Sequence, residues 1–221
     1  MGYRLDDKNI ELTGKLVGTG KTGNVYRYRN MALKVFKEDR DTPIDEETAT
    51  YLTNISTDRI LLPKSLLFYN NKFRGYTYKL VPKKGSGQRM IMLPKDDLIQ
   101  DIRVLERDVE RLSNKEVLLN GIEPENTIFN GNLYLTDPTS YTVLDGWNSK
   151  ELEKINKYQL HLLLTTLITS ELRKNNQASK AEIDLVKEIL EMRDEYEDSS
   201  DFFGDVIGNN DNMKQFVKKM Q

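Results

Sequence analysis

Cysteine is absent from this chain of 221 residues, and histidine and tryptophan each occur only once. Without cysteine the chain can form neither a disulfide framework nor a metal site with thiolate ligands. The single histidine, His161, falls within an apolar helical pattern, where a lone histidine is usually a hydrogen-bonded core residue. We therefore expect His161 to belong to the core. For Trp147 we favour core packing over a place at a partner surface.

Long hydrophobic runs are also missing. No stretch reaches the roughly eighteen apolar residues that indicate a membrane-spanning helix, and the N-terminus lacks the apolar run of a secretory signal. The formal net charge is only −2, so we expect no strong attraction to nucleic acid or to an anionic membrane. These features favour a soluble, cytoplasmic protein. Its length suits one sizeable core or two small lobes that share a cleft.

A glycine-rich stretch near the N-terminus has the pattern G-x-G-x-x-G-x-V. It contains Gly18, Gly20, Gly23 and Val25. Glycines at this spacing allow backbone amides to approach a phosphate closely. The alternating residues that follow predict a strand, whereas a dinucleotide-binding fingerprint needs a helix there. A Walker A motif is excluded as well, because Lys15 occupies the position of its first glycine.

Lys34 lies within the apolar run Met31–Phe36, which predicts a strand. If its ammonium faces a cleft, a carboxylate must offset the loss of hydration. The next predicted helix, residues 45–52, offers Glu47 as the first choice and Glu46 as the second. Both acids also suit the first helical turn, where they complement the helix dipole. The sequence leaves these two roles open.

A predicted hairpin farther along the chain brings an amide and a carboxylate together. Its strands are residues 127–129 and 133–135, and the Asn-Gly pair at 130–131 suits a two-residue type I′ turn. Asn126 precedes the first strand and Asp137 follows the second. An amide oxygen and a carboxylate are suitable ligands for Mg²⁺. The alternative is a surface hairpin in which both residues only cap turns.

The glycine stretch, Lys34 and the hairpin together resemble the motifs of the protein-kinase-like superfamily, in the same order. In that family a glycine-rich loop covers ATP, a strand lysine holds the α- and β-phosphates, and an Asn and a later Asp hold Mg²⁺. The resemblance covers roughly residues 10–170. It implies that Lys34 contacts phosphate and that Asn126 and Asp137 hold the metal. The segment 122–126, I-E-P-E-N, is similar to the family's L-K-P-E-N.

The architecture implied by this resemblance is an α+β, two-lobed fold. Residues 1–82 would form an N-lobe with a five-stranded antiparallel sheet, and residues 83–221 a reduced, mostly helical C-lobe. Leu80 and Val81 would lie in the linker, whose backbone hydrogen-bonds adenine in this family. We interpret Asp108, on the polar face of the first C-lobe helix, as solvated or paired within that helix. Apolar periodicity predicts helices at 96–112, 155–173, 183–192 and 213–220.

The catalytic loop departs from the family pattern. The family's proton-accepting Asp, five residues before the Asn, is replaced by Gly121, and D-F-G is D-P-T at 137–139. Losing a general base typically lowers a rate by about 10²–10⁴-fold. We therefore interpret the chain as an ATP- and Mg²⁺-binding pseudokinase, or very weak kinase, that acts through a protein partner.

The alternative is an active, atypical phosphotransferase that acts on a protein or small-molecule hydroxyl. Its substitute base would be Glu123, which stands where many members of the family carry Lys. Glu125 is a weaker candidate, because it matches a family position that does not contact the substrate.

Overall fold

A computed structural model describes residues 3–6, 8–10, 14–37, 42–82 and 95–174. Within these residues the chain forms a seven-stranded antiparallel sheet, three helices and two small hairpin-like pairings. The order across the large sheet is β2-β1-β6-β7-β5-β4-β3. Its strands are β1 Tyr3–Leu5, β2 Lys8–Ile10, β3 Leu16–Thr19, β4 Gly23–Tyr28, β5 Met31–Phe36, β6 Ser65–Tyr69 and β7 Lys72–Lys79.

The predicted α+β class and antiparallel sheet are confirmed, but the sheet has seven strands rather than five. The additional pair, β1 and β2, extends the sheet beside β6. Each of these strands is only three residues long, too short to produce a clear alternation in the sequence. The strand predicted at 10–17 is divided, since β2 ends at Ile10 and β3 begins at Leu16.

The sheet is strongly curved. Strands β2 and β3 stand at opposite ends of the strand order, yet Ile10 and Leu16 are only six residues apart in the sequence. Six residues reach at most about 22 Å, whereas six strand spacings across a flat sheet would cover about 29 Å. The two edges must therefore curl toward each other.

Helix α1, Glu46–Thr53, follows β5. Asp45 caps its N-terminus, where a carboxylate oxygen accepts a hydrogen bond from the backbone N–H of Thr48 at 2.7 Å. The face turned into the protein carries Ala49 and Leu52, which are both fully buried. The inner face of this helix is therefore apolar.

The remaining elements follow residue 82. Helices α2, Lys95–Ser113, and α3, Ser149–Lys174, flank β8 Val117–Leu118, β9 Thr127–Phe129, β10 Leu133–Leu135 and β11 Thr142–Val143. Both helices agree with the predicted apolar patterns, and the helices predicted at 183–192 and 213–220 lie outside the described residues. Neither α2 nor α3, nor any other helix within the described part, is long and apolar enough to cross a membrane.

One hydrophobic core joins the sheet to the helices that follow it. It contains Phe36 and Tyr76 of the sheet together with Leu105 of α2 and Leu164 of α3. Because this core is continuous across residue 82, it does not mark a lobe boundary there. The lobe boundary at residue 82 therefore stays a prediction. His161 is buried, as expected, whereas Trp147 is 49% exposed. The prediction of core packing was wrong for Trp147, which lies in the loop that enters α3.

Candidate functional site

A cleft of about 440 Å³ lies between the curved sheet and the β9–β10 hairpin. Its walls combine apolar side chains with a few charged groups. Nearly all the predicted site residues line it, namely Gly18, Gly20, Gly23, Val25, Lys34, Leu80, Val81, Asn126 and Asp137. Glu47 and Glu123 are not among the residues that line this cleft.

The glycines in and between β3 and β4 serve different purposes. A Cβ at Gly23 would lie 2.4 Å from the carbonyl oxygen of Val35, so the close approach of β5 requires glycine there. A Cβ at Gly18 or Gly20 would meet nothing closer than 3.7 Å. The fold gives no steric reason for glycine at 18 and 20. Their missing side chains instead leave the cleft open beneath the loop.

Lys34 is the buried cation of the cleft. It lies on β5 between Val25 of β4 and Tyr76 of β7, and the residue is only 5% exposed. Its Nζ pairs with the Oδ1 of Asp137. Burial lowers the pKa of Lys34 from its ordinary value, and the Asp137 carboxylate offsets part of that decrease.

The expected pairing of Lys34 with Glu47 is corrected by this geometry. Glu46 and Glu47 are exposed in the first turn of α1, and the inner positions of the helix are apolar. The sequence predicted the helix that carries these acids, but it could not fix the rotation of that helix about its own axis. Packing against the sheet sets that rotation, and Asp137 takes the place of the predicted partner.

Asn126 and Asp137 converge as predicted, because the hairpin joins the segments that carry them. Asn126 ends a 3₁₀ turn, Pro124–Asn126, and its carbonyl oxygen accepts a hydrogen bond from the N–H of Thr136 at 2.8 Å. The Asn126 side-chain amide donates to the carbonyl oxygen of Gly121 at 3.4 Å. The two candidate metal ligands therefore meet on one wall of the cleft.

The turn of this hairpin differs from the prediction. Phe129 pairs with Leu133, so three residues connect the strands instead of two. Within the turn Gly131 has a positive φ of 78°, and Asn130 does not have a positive φ. A three-residue loop with glycine in the left-handed region is the next common hairpin type.

Asp137 is held in an unusual backbone conformation. Its φ of 63° and ψ of 66° place it in the left-handed region, which costs a non-glycine residue about 1–3 kcal/mol and is frequent at functional sites. The hydroxyl of Thr139 donates to the Asp137 Oδ1 at 2.7 Å. The charge of this carboxylate acts on two buried tyrosines, Tyr76 and Tyr141, and on the half-buried Tyr78. Burial first, and the charge of Asp137 second, raise the pKa of Tyr76, Tyr78 and Tyr141.

A loop from the N-terminal half supports the strand that leads to Asp137. The N–H of Leu61 donates to the carbonyl oxygen of Leu135 at 2.8 Å. The N–H of Leu135 in turn donates to the carbonyl oxygen of Arg59 at 3.0 Å. Asp108 of α2, fully buried, accepts from the N–H groups of this loop at Asp58 (2.9 Å), Arg59 (2.6 Å) and Ile60 (3.1 Å).

The interpretation of Asp108 as a solvated side chain was therefore wrong. It is paired with Arg111 within α2 at 3.0 Å, as predicted, but it also anchors the loop. An aspartate one helical turn from apolar positions gives no sequence signal for this role, because its partners are backbone N–H groups from a distant segment.

Asn156 of α3 organises the start of the catalytic-type loop. It is fully buried, its amide oxygen accepts from the N–H of Leu119 at 2.8 Å, and its amide nitrogen donates to the carbonyl oxygen of Val117 at 2.8 Å. Asn156 was not among the functional residues predicted from the sequence. The available signal was a polar amide within the long apolar pattern of α3.

Gly121 stands where the resemblance places the proton-accepting Asp. Its φ is +64°, and a Cβ there would lie 2.7 Å from the Oγ of Ser140. The hydroxyl of Ser140 donates to the carbonyl oxygen of Asn120 at 2.5 Å. The space that a side chain at 121 would need is therefore filled. Of the two glutamates in the loop, Glu125 lines the cleft and Glu123 does not.

No protein-family model matches this chain, and no curated protein is similar to it in sequence. Among solved structures it is similar to the kinase domain of PknI from Mycobacterium tuberculosis, with 15% identity and a TM-score of 0.51 over 72% of this chain and 76% of that chain. A point mutant of the same domain gives a TM-score of 0.52 at 15% identity, over 72% of this chain and 75% of that chain. This similarity, read with the sheet and the cleft described above, shows that the chain has a protein-kinase-like fold.

Proposed function

We propose that this protein binds an adenine nucleotide in the cleft and transfers its γ-phosphate very slowly or not at all. The fold is one that generally binds ATP. The observation that carries the proposal is a buried cation, Lys34, beneath a loop whose Gly18 and Gly20 leave open space. A buried ammonium and exposed loop amides are both suited to phosphate.

The apolar part of the cleft suits the base of the nucleotide. Val25 and Ala32 contribute from the sheet, and Ile128 contributes from the hairpin on the other side. Leu80 and Val81 also line the cleft, and backbone groups of this linker would hydrogen-bond adenine. Ligand sites typically combine such apolar walls with a few placed polar groups.

The weak or absent transfer follows from Gly121 and Ser140. No carboxylate can be carried at residue 121 without displacing the Ser140 side chain, and general-base catalysis is worth about 10²–10⁴-fold. The protein would then work by changing conformation on nucleotide binding and presenting a surface to a protein partner. Nucleotide can shift such an equilibrium only by its difference in affinity for the two conformations.

The test measures binding and phosphate transfer on the same sample. A fluorescent ATP analogue reports binding in the cleft, and loss of the γ-phosphate to water or to a generic protein reports catalysis. We expect saturable binding and transfer no faster than the uncatalysed background. Rapid turnover would contradict the proposed lack of catalysis, and absence of binding at millimolar nucleotide would contradict the proposed nucleotide site.

A rescue experiment examines the cause of the low activity. Gly121→Asp alone should fail, because the backbone is left-handed and Ser140 fills the space. Gly121→Asp combined with Ser140→Gly removes the clash, and transfer should then rise by about 10²-fold or more if only the base is missing. The Ser140→Gly single variant is the matched control.

The second candidate function, an atypical phosphotransferase, is favoured by one observation. Glu125 lines the cleft beside Asn126, so a carboxylate is available near the proposed phosphates. If the wild type transfers phosphate, Glu125→Gln should abolish the activity and Glu123→Gln should leave it within about twofold of wild type. The reverse result would assign the base to Glu123, as the sequence first suggested.

A further inference from the structure

We propose that the cleft binds its nucleotide without a divalent metal ion, because its inner carboxylate already serves Lys34. This inference rests on the proposed nucleotide site and concerns the cation that accompanies the ligand. Proteins of this fold generally bind ATP together with Mg²⁺. The resemblance assigns that metal to Asn126 and Asp137. The donor atoms of this chain do not fit the assignment.

The first reason is that one carboxylate would have to serve two cations. Within the described residues, Lys34 forms its ion pair with Asp137. The inner face of α1, where the sequence predicted a carboxylate for Lys34, carries Ala49 and Leu52 instead. The positive charge of Lys34 therefore already compensates the charge of Asp137, and it would repel a divalent ion bound to the same carboxylate.

The second reason is the occupancy of the Asp137 carboxylate. Its Oδ1 accepts from both the Lys34 ammonium and the Thr139 hydroxyl. Its side chain is only 25% exposed, and its charge acts on the buried Tyr76 and Tyr141 and on the half-buried Tyr78. Both donors occupy Oδ1, so a metal ion would have to bind the Oδ2 of a carboxylate whose charge Lys34 already compensates.

The third reason is the weakness of the other donors. Asn126 offers only the oxygen of a neutral amide, and Glu125, the other carboxylate that lines the cleft, is exposed. The described residues contain no group of three His, Cys, Asp or Glu that could hold a metal. Mg²⁺ gives up its water reluctantly and is usually bound through one or two available carboxylates plus phosphates.

Lys34 can supply the positive charge that the metal supplies elsewhere. An ammonium has three donors, so one can remain on Asp137 while the others reach phosphate oxygens. The Lys34–Asp137 pair would then stay intact in the nucleotide complex. Nucleotide affinity should therefore depend on this lysine and show little dependence on Mg²⁺.

The experiment compares ATP affinity in EDTA with ATP affinity in millimolar MgCl₂, by calorimetry on the full chain. We expect the two dissociation constants to agree within about threefold, or the value in MgCl₂ to be weaker. Binding that is about tenfold tighter with Mg²⁺ would overturn this inference and leave the proposed nucleotide site standing. Absence of binding in both buffers would overturn both.

A second measurement detects the metal directly. Mn²⁺ is titrated with protein and followed by its electron paramagnetic resonance signal, without nucleotide. The wild type should leave the signal unchanged, whereas Lys34→Met, which frees Asp137, should bind Mn²⁺. The ATP affinity of this variant should be higher in MgCl₂ than in EDTA, while staying below that of the wild type. Lys72→Met, an exposed lysine at the start of β7, is the matched control. Mn²⁺ bound by the wild type in the Asp137 region, and lost in Asp137→Asn, would also contradict the inference.

Discussion

Lys34 and Asp137 form the ion pair that sets the charge of the cleft. The ammonium is 5% exposed and the carboxylate side chain 25% exposed, so water screens the pair only in part. Breaking a buried pair by removing one partner is usually costly, whereas replacing both partners can be nearly neutral. The stability of the protein therefore depends on the pair as a unit.

A double-mutant cycle on these two residues tests that dependence. Lys34→Met and Asp137→Asn should each lower the free energy of unfolding by about 3 kcal/mol, and the double variant should lose clearly less than the sum. Urea unfolding at neutral pH measures all four proteins. Purely additive losses would show that the two side chains do not stabilise each other.

The three tyrosines around Asp137 make the stability sensitive to alkali. Their pKa values are raised in the folded protein by burial and by the Asp137 charge. Their stabilisation is complete below the unfolded pKa of about 10 and is lost as pH rises toward the folded values. Lys34 acts in the opposite sense, because its lowered pKa makes stability rise with pH until about 10.5.

Above pH 10.5 the ionisation of the three tyrosines should dominate the pH dependence of the free energy of unfolding. We expect the free energy of unfolding to fall by up to about 4 kcal/mol per pH unit, which is three groups at about 1.4 kcal/mol each. Tyr141→Phe should remove about a third of that slope. Urea unfolding between pH 9 and about 11.5 measures it. An unchanged slope in Tyr141→Phe would contradict the assignment.

At the scale of single elements, the loop at residues 58–61 connects the two halves of the cleft. It follows α1, pairs with β10 two residues before Asp137 and is fixed to α2 by the carboxylate of Asp108. The carboxylate is fully buried and so is its hydrogen bond with the N–H of Ile60, so this N–H cannot turn to water when the carboxylate is removed.

Asp108→Ala tests this anchor. The three N–H groups of the loop all donate to one carboxylate oxygen, Oδ2, so its removal leaves at least the buried N–H of Ile60 without a partner, and each such loss costs about 1–3 kcal/mol. We expect a decrease of about 3 kcal/mol in the free energy of unfolding. Glu110→Ala, on the exposed side of α2, should change it by less than about 0.5 kcal/mol. Equal effects of the two substitutions would exclude the anchoring role.

At this scale the sequence correctly predicted the strands that local residue patterns determine. The alternating residues after Gly23 and the strands on either side of Gly131 predict the strands that carry the cleft residues. The rotation of α1 and the burial of Asp108 depend on contacts with distant segments, and a single sequence does not contain them. The sequence also could not predict that Ser140 fills the space beside Gly121, because the two residues meet only in the folded loop.

At the scale of the whole molecule, the cleft is built on one continuous core. Residues of the sheet and of both α2 and α3 belong to it, so the wall that holds Lys34 and the wall that holds Asp137 rest on the same packing. This arrangement favours a cleft that is largely formed before its ligand arrives, which lowers the cost of ordering side chains on binding.

The central claim, that this cleft binds nucleotide, is tested most directly by one calorimetric titration of ATP into the wild type and Gly18→Val. A Cβ at Gly18 would have an ordinary contact of 3.8 Å with Val25, so the fold should accept valine with a change below about 0.5 kcal/mol, while the side chain fills the space under the loop. Run with and without Mg²⁺, the titration should show saturable binding to the wild type and at least tenfold weaker binding to the variant. No binding to the wild type in either buffer, or equal binding to a stable Gly18→Val, would contradict the account.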